Sequence, residues 1–291
     1  MSRIGTKIQE TFMAVKFRDK EIFKPLNTGK IDEHVSCVRE YIANIFFYSK
    51  KGKTIMIDAG YHYQRLEEKM QWLNIDPKSI NTILITHQDT DHVGALEKDA
   101  KRLFDDATIY IGEIENRYLT AEVRRKVYGG WYKLPLVKID NKKILLKDGQ
   151  IFYIEDIKIE CFLVPGHTWG HLCYLIDDKY LFTGDTIWFG PDGGYSFLDA
   201  LAEDNELAQK SLAEFEKKLK LRKLNPIIIT GHTGWYDDLE WGFRHKDQVC
   251  IATKKQKPHD PNAPYDGYDE SADTRENARN KLLAKVDPVI P

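Results

Sequence analysis

The chain lacks any run approaching the roughly 18 to 20 consecutive apolar residues that a bilayer-spanning helix needs; its longest candidates are interrupted by Lys, Asp or Gly within a few positions. No helical membrane span is expected, and no membrane partner. It is poor in cysteine, with four (Cys37, Cys161, Cys173 and Cys250) and no CxxC pair, so a disulfide framework is not expected and buried free thiols are the default. It lacks a charge bias: 43 Lys and Arg stand against 45 Asp and Glu, a formal net charge of −2. That balance gives no reason to expect a nucleic-acid partner. The opening MSRIGTKIQETFMAV has basic residues but neither an apolar core nor a small-residue cleavage site, so a cytoplasmic location is the expectation. Oligomeric state leaves no mark in these features.

What the chain does have is an ordinary globular composition, 42% hydrophobic, 30% charged and 12% aromatic, over 291 residues. That length suits one large α/β domain or two modest ones. YIANIFFYSK and KTIMIDAG read as a hairpin across a Lys/Gly turn, and YQRLEEKMQWLN as a helix with Leu66, Met70, Trp72 and Leu73 at an approximate helical spacing. TILITH is a short buried strand, VGALEKDAKRLF a helix, ATIYIG a strand, and NRYLTAEVRRKVYGGWY a charged helix stopped at Gly129 and Gly130. From residue 144 the pattern turns to strands: KILLKDGQIFYI, IKIECFLVPG, HLCYLID and YLFTGD. DNELAQKSLAEFEKKLKLRKL is the strongest helix, and NPIIITGH a final strand. Residues 1–255 therefore read as one domain and 256–291 as a polar, loop-rich C-terminal tail. Two halves that each mix strands with helices fit a four-layer αββα sandwich.

Four strand ends finish on ionisable residues: Thr86-His87, Pro165-Gly166-His167, Thr183-Gly184-Asp185 and Thr230-Gly231-His232. A strand end is held by its sheet yet faces a cleft, so four of them ending this way argue for one shared site. The first continues into ILITHQDTDHVGAL, an HxDxDH cluster of His87, Asp89, Asp91 and His92. Neutral imidazoles and carboxylates suit Zn, Fe or Mn, and a hydroxide held between two such ions attacks at neutral pH. A capped turn at a helix start is the bland alternative for the cluster alone, and the later ligand-type strand ends weigh against it.

In this order of residues the chain resembles the metallo-β-lactamase fold superfamily, whose pattern is HxHxDH followed by a distant His, an Asp and a last His. The likeness runs from about residue 40 to 235, with Asp58-Ala59-Gly60 matching that family's early Asp-x-Gly loop. It implies the αββα sandwich and a dinuclear site: His87, Asp89 and His167 on one ion, Asp91, His92 and His232 on the other, Asp185 bridging. Asp89 departs from the pattern, which has histidine there. Its negative charge would leave the two ions less cationic and move preference from Zn towards Fe or Mn. The flavodiiron oxidoreductases place a carboxylate at this position, but the residues after 235 are too few to supply their flavodoxin domain.

The resemblance implies a hydrolase that uses a metal-bound hydroxide on a small ester, lactone, thioester or related acyl substrate, with Asp91 and Asp185 as catalytic carboxylates and two divalent ions, Zn foremost. A phosphodiesterase of the same fold, a di-iron redox protein and a metal-bound scaffold are the alternatives. Asp58 reads as a carboxylate that orients a ligand, and His171 as a structural neighbour of one. His62, Trp188 and Tyr195 stand in loops beside assigned ligands and are candidates for the substrate pocket, shaped by the Gly-rich loop 186–204. In lactonases of this superfamily a tyrosine follows the bridging Asp; here Trp188 is nearest in spacing.

Overall fold

A computed structural model describes residues 23–99, 103–197, 199–249 and 268–287. Its first sheet has seven strands, in the spatial order Gly29–Lys30, Val35–Glu40, Ala43–Lys50, Lys53–Ile57, Thr82–Ile85, Thr108–Gly112 and Lys143–Leu146. The first four form an antiparallel meander, and the remaining three join in parallel. The second sheet runs Ile151–Ile154, Ile157–Leu163, Leu172–Ile176, Tyr180–Gly184, Ile227–Thr230 and Gly234–Tyr236. Its one parallel pair, Tyr180–Gly184 with Ile227–Thr230, spans the helix Asn205–Leu221 in the chain. Parallel neighbours need such a long connection.

The two-residue period of a strand sorts its side chains between layers. In Ala43–Lys50, Ile45 and Phe47 face a core shared with Leu66 and Met70 of the helix Tyr63–Trp72. Their neighbours Phe46 and Tyr48 face the second sheet, where Cys161, Tyr174, Phe182 and Ile229 meet them. The outer face of the second sheet, with Phe162, Leu175 and Leu181, takes Leu212, Phe215 and Leu219 of the helix Asn205–Leu221. Those three recur at helical spacing, and the side chain of Asp204 caps the helix by accepting the Leu207 amide. Helix, sheet, sheet, helix is the αββα sandwich expected from the sequence. Each large side chain buried in these interfaces contributes about 1.5–3 kcal/mol.

Two helices are shorter than their patterns suggest. VGALEKDAKRLF gives only the short helix Thr90–Val93 and a 3-10 turn Gly94–Leu96, with residues 100–102 outside the described set. The expected charged helix over 116–130 stops early, since the structure has Glu113–Leu119 and then a hairpin, Lys126–Val127 with Tyr132–Lys133. Ala121 and Tyr128 sit at positive φ, which breaks the helix, and Arg125 is drawn inward to a buried carboxylate. The Gly129-Gly130 pair, read as a helix stop, is the turn of the hairpin, both residues at positive φ.

Residues 256–267 and 288–291 of the expected tail lie outside the described set, as do residues 250–255 before it, including Cys250. Residues 268–287 pack back on the sandwich. Ala278 and Leu283 are buried in its cores, Asp273 accepts from the Thr28 amide and pairs with Lys69, and the Leu283 amide donates to the Lys30 carbonyl. No described helix is long and apolar enough to cross a membrane.

Candidate metal centre

Each strand end named from the sequence delivers its ionisable residue to one place. His87 follows Thr82–Ile85, His167 follows Ile157–Leu163, Asp185 follows Tyr180–Gly184 and His232 follows Ile227–Thr230. The two sheets thus supply both walls of the site. Asp91 and His92 lie on the short helix Thr90–Val93. The approach is tight: a Cβ on Gly231 would lie 2.8 Å from Asp185 Oδ1 and 3.1 Å from His92 Cε1, so any larger residue there would push on the donors.

Two buried donor sets result, His87 with His167 and Asp185, and Asp91 with His92 and His232. In the first, His87 Nε2 lies 3.2 Å from His167 Nε2, and Asp185 Oδ2 is 3.8 Å and 3.6 Å from them. In the second, Asp91 Oδ2 is 3.7 Å from His92 Nε2 and 3.4 Å from His232 Nε2. Asp185 reaches this set too, with Oδ1 3.2 Å from His92 Nε2 and Oδ2 3.1 Å from His232 Nε2. Donors bonded to a tetrahedral zinc at about 2.0–2.2 Å are separated by roughly 3.4 Å, which is the spacing found. His92 Nε2 and Asp185 Oδ1 lie 3.2 Å apart in the buried cluster without a well-formed hydrogen bond, a costly state that a cation between the donors would relieve. The residues present therefore fit a pair of divalent ions.

The outer ring nitrogens are anchored so that the inner ones face the cluster. His92 Nδ1 donates to Asp58 Oδ2 at 2.8 Å, His232 Nδ1 to the Ile42 carbonyl at 2.6 Å, and His87 Nδ1 to Thr86 Oγ1 at 3.0 Å. Asp58 also accepts from the Thr86 amide and hydroxyl. His171 accepts the Asp185 amide through Nε2 and stacks on His87. Burial, reinforced by His92, holds His87 well below the usual histidine range. For His92 burial acts in the same direction, but Asp185, Asp58 and Asp91 outweigh it and hold the ring well above that range.

Asp89 is set apart. Its Oδ2 is 3.2 Å from His167 Nε2 and 3.8 Å from His87 Nε2, within the same donor spacing. Arg125, itself buried, grips both carboxylate oxygens, Nε on Oδ1 at 2.8 Å and Nη2 on Oδ2 at 3.0 Å. Burial would raise this carboxyl; Arg125 first, then the neighbouring histidines, hold it well below the carboxylate range. The charge that Asp89 brings is thus largely cancelled by a residue that sequence reasoning missed. Arg125 lies in a run of mixed charges with no motif, and the helical reading of that run would have turned it to solvent. Glu115 was missed too: it accepts the Gln88 amide and the Thr168 hydroxyl, tying together the loops that carry His87 and His167.

The mouth above the donors is mostly apolar. Val127, Tyr128, Tyr132 and Leu134 come from the hairpin region, Phe197 and Leu201 from the loop after Asp185. Of the pocket candidates, Trp188 is buried behind the mouth, ring-packed on Phe197 and His232. Tyr195 is turned away: it donates to Asp192 and stacks on His245, held there by strand pairing. His62 precedes the helix Tyr63–Trp72, and it is Tyr61 that lines the pocket.

A two-sheet sandwich carrying these donor sets at its strand ends is the architecture of a metallo-β-lactamase-like protein. The family model described as the metallo-beta-lactamase superfamily matches residues 38–232, most of the chain, and the chain belongs to that superfamily. Among curated relatives, a probable polyketide biosynthesis zinc-dependent hydrolase of Bacillus velezensis is 30% identical over 138 residues, 47% of this chain and 51% of that protein. The hydroxyacylglutathione hydrolase of Shewanella halifaxensis is 35% identical over 111 residues, 38% of this chain and 35% of its own length. An atrochrysone carboxyl ACP thioesterase of Aspergillus fumigatus is 27% identical over 146 residues, 50% and 39%. The chain spans about half or less of the length of these three relatives. A B3 metallo-beta-lactamase with an active site glutamic acid superposes with a TM-score of 0.58 at 18% identity, covering 81% of this chain and 91% of that one. At that identity the likeness is one of fold.

Proposed function

We propose that this protein is a metal-dependent hydrolase of a small thioester or ester, working with two divalent ions, zinc foremost. The observation that carries the reading is the pair of buried donor sets sharing the two oxygens of Asp185 beneath an apolar mouth. His87, His167 and Asp185 would hold one ion, with Asp89 Oδ2 completing the set, and Asp91, His92 and His232 the other. When bound, such a pair supplies Lewis acidity, polarising an acyl carbonyl and lowering the pKa of a water. Asp91 and Asp185 would orient the attacking water and accept its proton. Tyr128, Tyr132 and Leu134 would pack on the acyl chain and exclude water from the reacting carbonyl. Asp58 and His171 act through the rings and backbone they hold.

The relatives named as zinc-dependent hydrolase, hydroxyacylglutathione hydrolase and thioesterase support the hydrolytic class. Zinc is favoured over iron or manganese because Arg125 offsets the extra charge of Asp89 on which the harder metals would depend. Among the described residues that line the pocket none is a lysine or arginine, which supports a neutral acyl substrate over a phosphodiester. A reducing, cytoplasmic setting fits the three described cysteines, each buried and unpaired.

The test is metal analysis of protein purified without added metal, followed by a panel of aryl and alkyl thioesters, esters, lactones and phosphodiesters. Thioester or ester turnover is expected, lost together with metal in His87→Ala. Unchanged metal content in that variant, or turnover confined to phosphodiesters, overturns the reading.

A further inference from the structure

The two donor sets are not equivalent, and the difference traces to one side chain. Arg125 is buried to 1% exposure, and Nη2 makes three contacts. It donates to Asp89 Oδ2 at 3.0 Å, to the Leu201 carbonyl at 2.6 Å, and towards His167 Nε2 at 3.3 Å. Nε holds the other Asp89 oxygen, and Nη1 donates to the Lys126 carbonyl. The guanidinium is thereby locked from both the hairpin and the loop carrying Leu201, and it cannot swing away without stranding a buried charge. Its Nη2 engages the lone pairs of Asp89 Oδ2 and His167 Nε2, the ones through which the first set would bind an ion.

No arginine or lysine among the described residues is paired with the second set. Among the described residues the only basic groups paired with Asp91 or Asp185 are the histidines of the cluster. His92 Nε2 there faces carboxylates, Asp185 Oδ1 at 3.2 Å and Asp91 Oδ2 at 3.7 Å, whereas His167 Nε2 also meets the Arg125 guanidinium at 3.3 Å. Formal charge points the same way: among the described residues no arginine or lysine pairs with Asp91, while Arg125, which also lies 3.9 Å from Glu203, offsets Asp89.

We propose that Arg125 is a positioning residue that makes the two halves of the centre unequal. It neutralises Asp89 and competes with an ion for the Asp89 and His167 donors. The Asp91, His92 and His232 half then fills first, and the His87, His167 and Asp185 half fills only at higher free metal. This inference rests on the reading of the site as a two-ion centre. Its consequence is a protein that passes through a stable one-ion state, with the second ion exchangeable.

The experiment strips full-length protein with chelator and titrates it with zinc chloride, following heat and competition with a chromophoric chelator; cobalt(II), whose visible bands report each site, repeats the series. Wild type is expected to take up two ions in steps about 100-fold apart in Kd. Arg125→Met should tighten the second step by about tenfold or more and leave the first unmoved, within the range by which neighbours of metal ligands alter affinity. R125K, which keeps the charge and loses the two-pronged grip, should stay near wild type. Should R125M fail to fold, as judged by circular dichroism, the double variant D89H/R125M removes both partners of the pair together and should bind two ions with nearly equal affinity. Equal steps in wild type, or a second step that is unchanged or weaker in R125M, overturn the proposal and leave the two-ion centre standing. No uptake of zinc by folded wild type overturns the two-ion centre itself, and the proposal with it.

Discussion

Replacing Glu115 with glutamine tests how the ligand loops are held together without touching a donor. Glu115 lies on the helix Glu113–Leu119 at 0% exposure; Oε1 accepts the Gln88 amide at 2.8 Å, and Oε2 the Thr168 hydroxyl at 2.7 Å. Burial pushes its carboxyl up to about 8 from an ordinary value of 4.5, against the opposing pull of those two hydrogen bonds. The native state therefore binds this proton more tightly than the unfolded chain does. Stability from Glu115 is fully present below about pH 4.5, declines as pH rises through that window, and is lost above about pH 8. A shift of roughly 3.5 units corresponds to about 5 kcal/mol. Glutamine stays neutral at every pH, can accept from the Gln88 amide through its carbonyl, and can donate to the Thr168 hydroxyl through its amide. Glu115→Gln should match wild type to within about 1 kcal/mol at pH 5 and exceed it by about 3–5 kcal/mol at pH 9, allowing about 1 kcal/mol for weaker neutral hydrogen bonds. Urea unfolding of both proteins at one-unit intervals from pH 5 to 9, both stripped of metal, gives the difference directly, and other titrating groups cancel in the subtraction. A difference that is flat across this range, or a less stable variant at pH 9, would show that the hydrogen bonds and Arg125 outweigh burial at Glu115 and would refute the reasoning.

Two further outcomes follow from close contacts. Gly166 sits at φ +138°, and a Cβ there would lie 2.3 Å from the Ala208 backbone at the start of the helix Asn205–Leu221, so Gly166→Ala should cost about 3 kcal/mol or more in a urea titration. Asp58→Asn replaces the acceptor that holds His92 Nδ1 at 2.8 Å, so zinc affinity measured against a competing chelator should fall about 10- to 100-fold while the far-ultraviolet spectrum stays unchanged.

The sandwich was legible because apolar periodicity is a local signal that each strand carries by itself. Ile45, Phe46, Phe47 and Tyr48 are all apolar, and only the presence of a second sheet explains why neither face of that strand is polar. The short strands ending in His87, His167, Asp185 and His232 were legible for a related reason. An apolar run that stops on an imidazole or carboxylate states both where the strand ends and what the end presents. The hairpin at 126–133 carried no such signal, since Val127, Tyr128, Trp131 and Tyr132 fit the apolar face of a helix as well as the sides of a ribbon. What decided between them was a tertiary contact, the pairing of Arg125 with a carboxylate 36 residues earlier, which no window of neighbouring residues contains.

That contact also changes what the aspartate at position 89 means. Counted alone, a carboxylate in place of a histidine adds a negative charge to the centre and argues for harder metals. Counted with Arg125, which holds both of its oxygens at 2.8 and 3.0 Å, the substitution is close to neutral in charge. What remains is a difference of geometry: Asp89 Oδ2 is shared between a guanidinium and the donor set of His87 and His167, where a histidine would offer its lone pair to an ion alone. Substituting either partner singly leaves the other buried without its closest charge partner, so Asp89→His and Arg125→Met should each cost more stability alone than together. A double-mutant cycle measured by urea unfolding should return a coupling of about 2 kcal/mol or more between the two positions, and additive effects would show that the pair does not act as a unit.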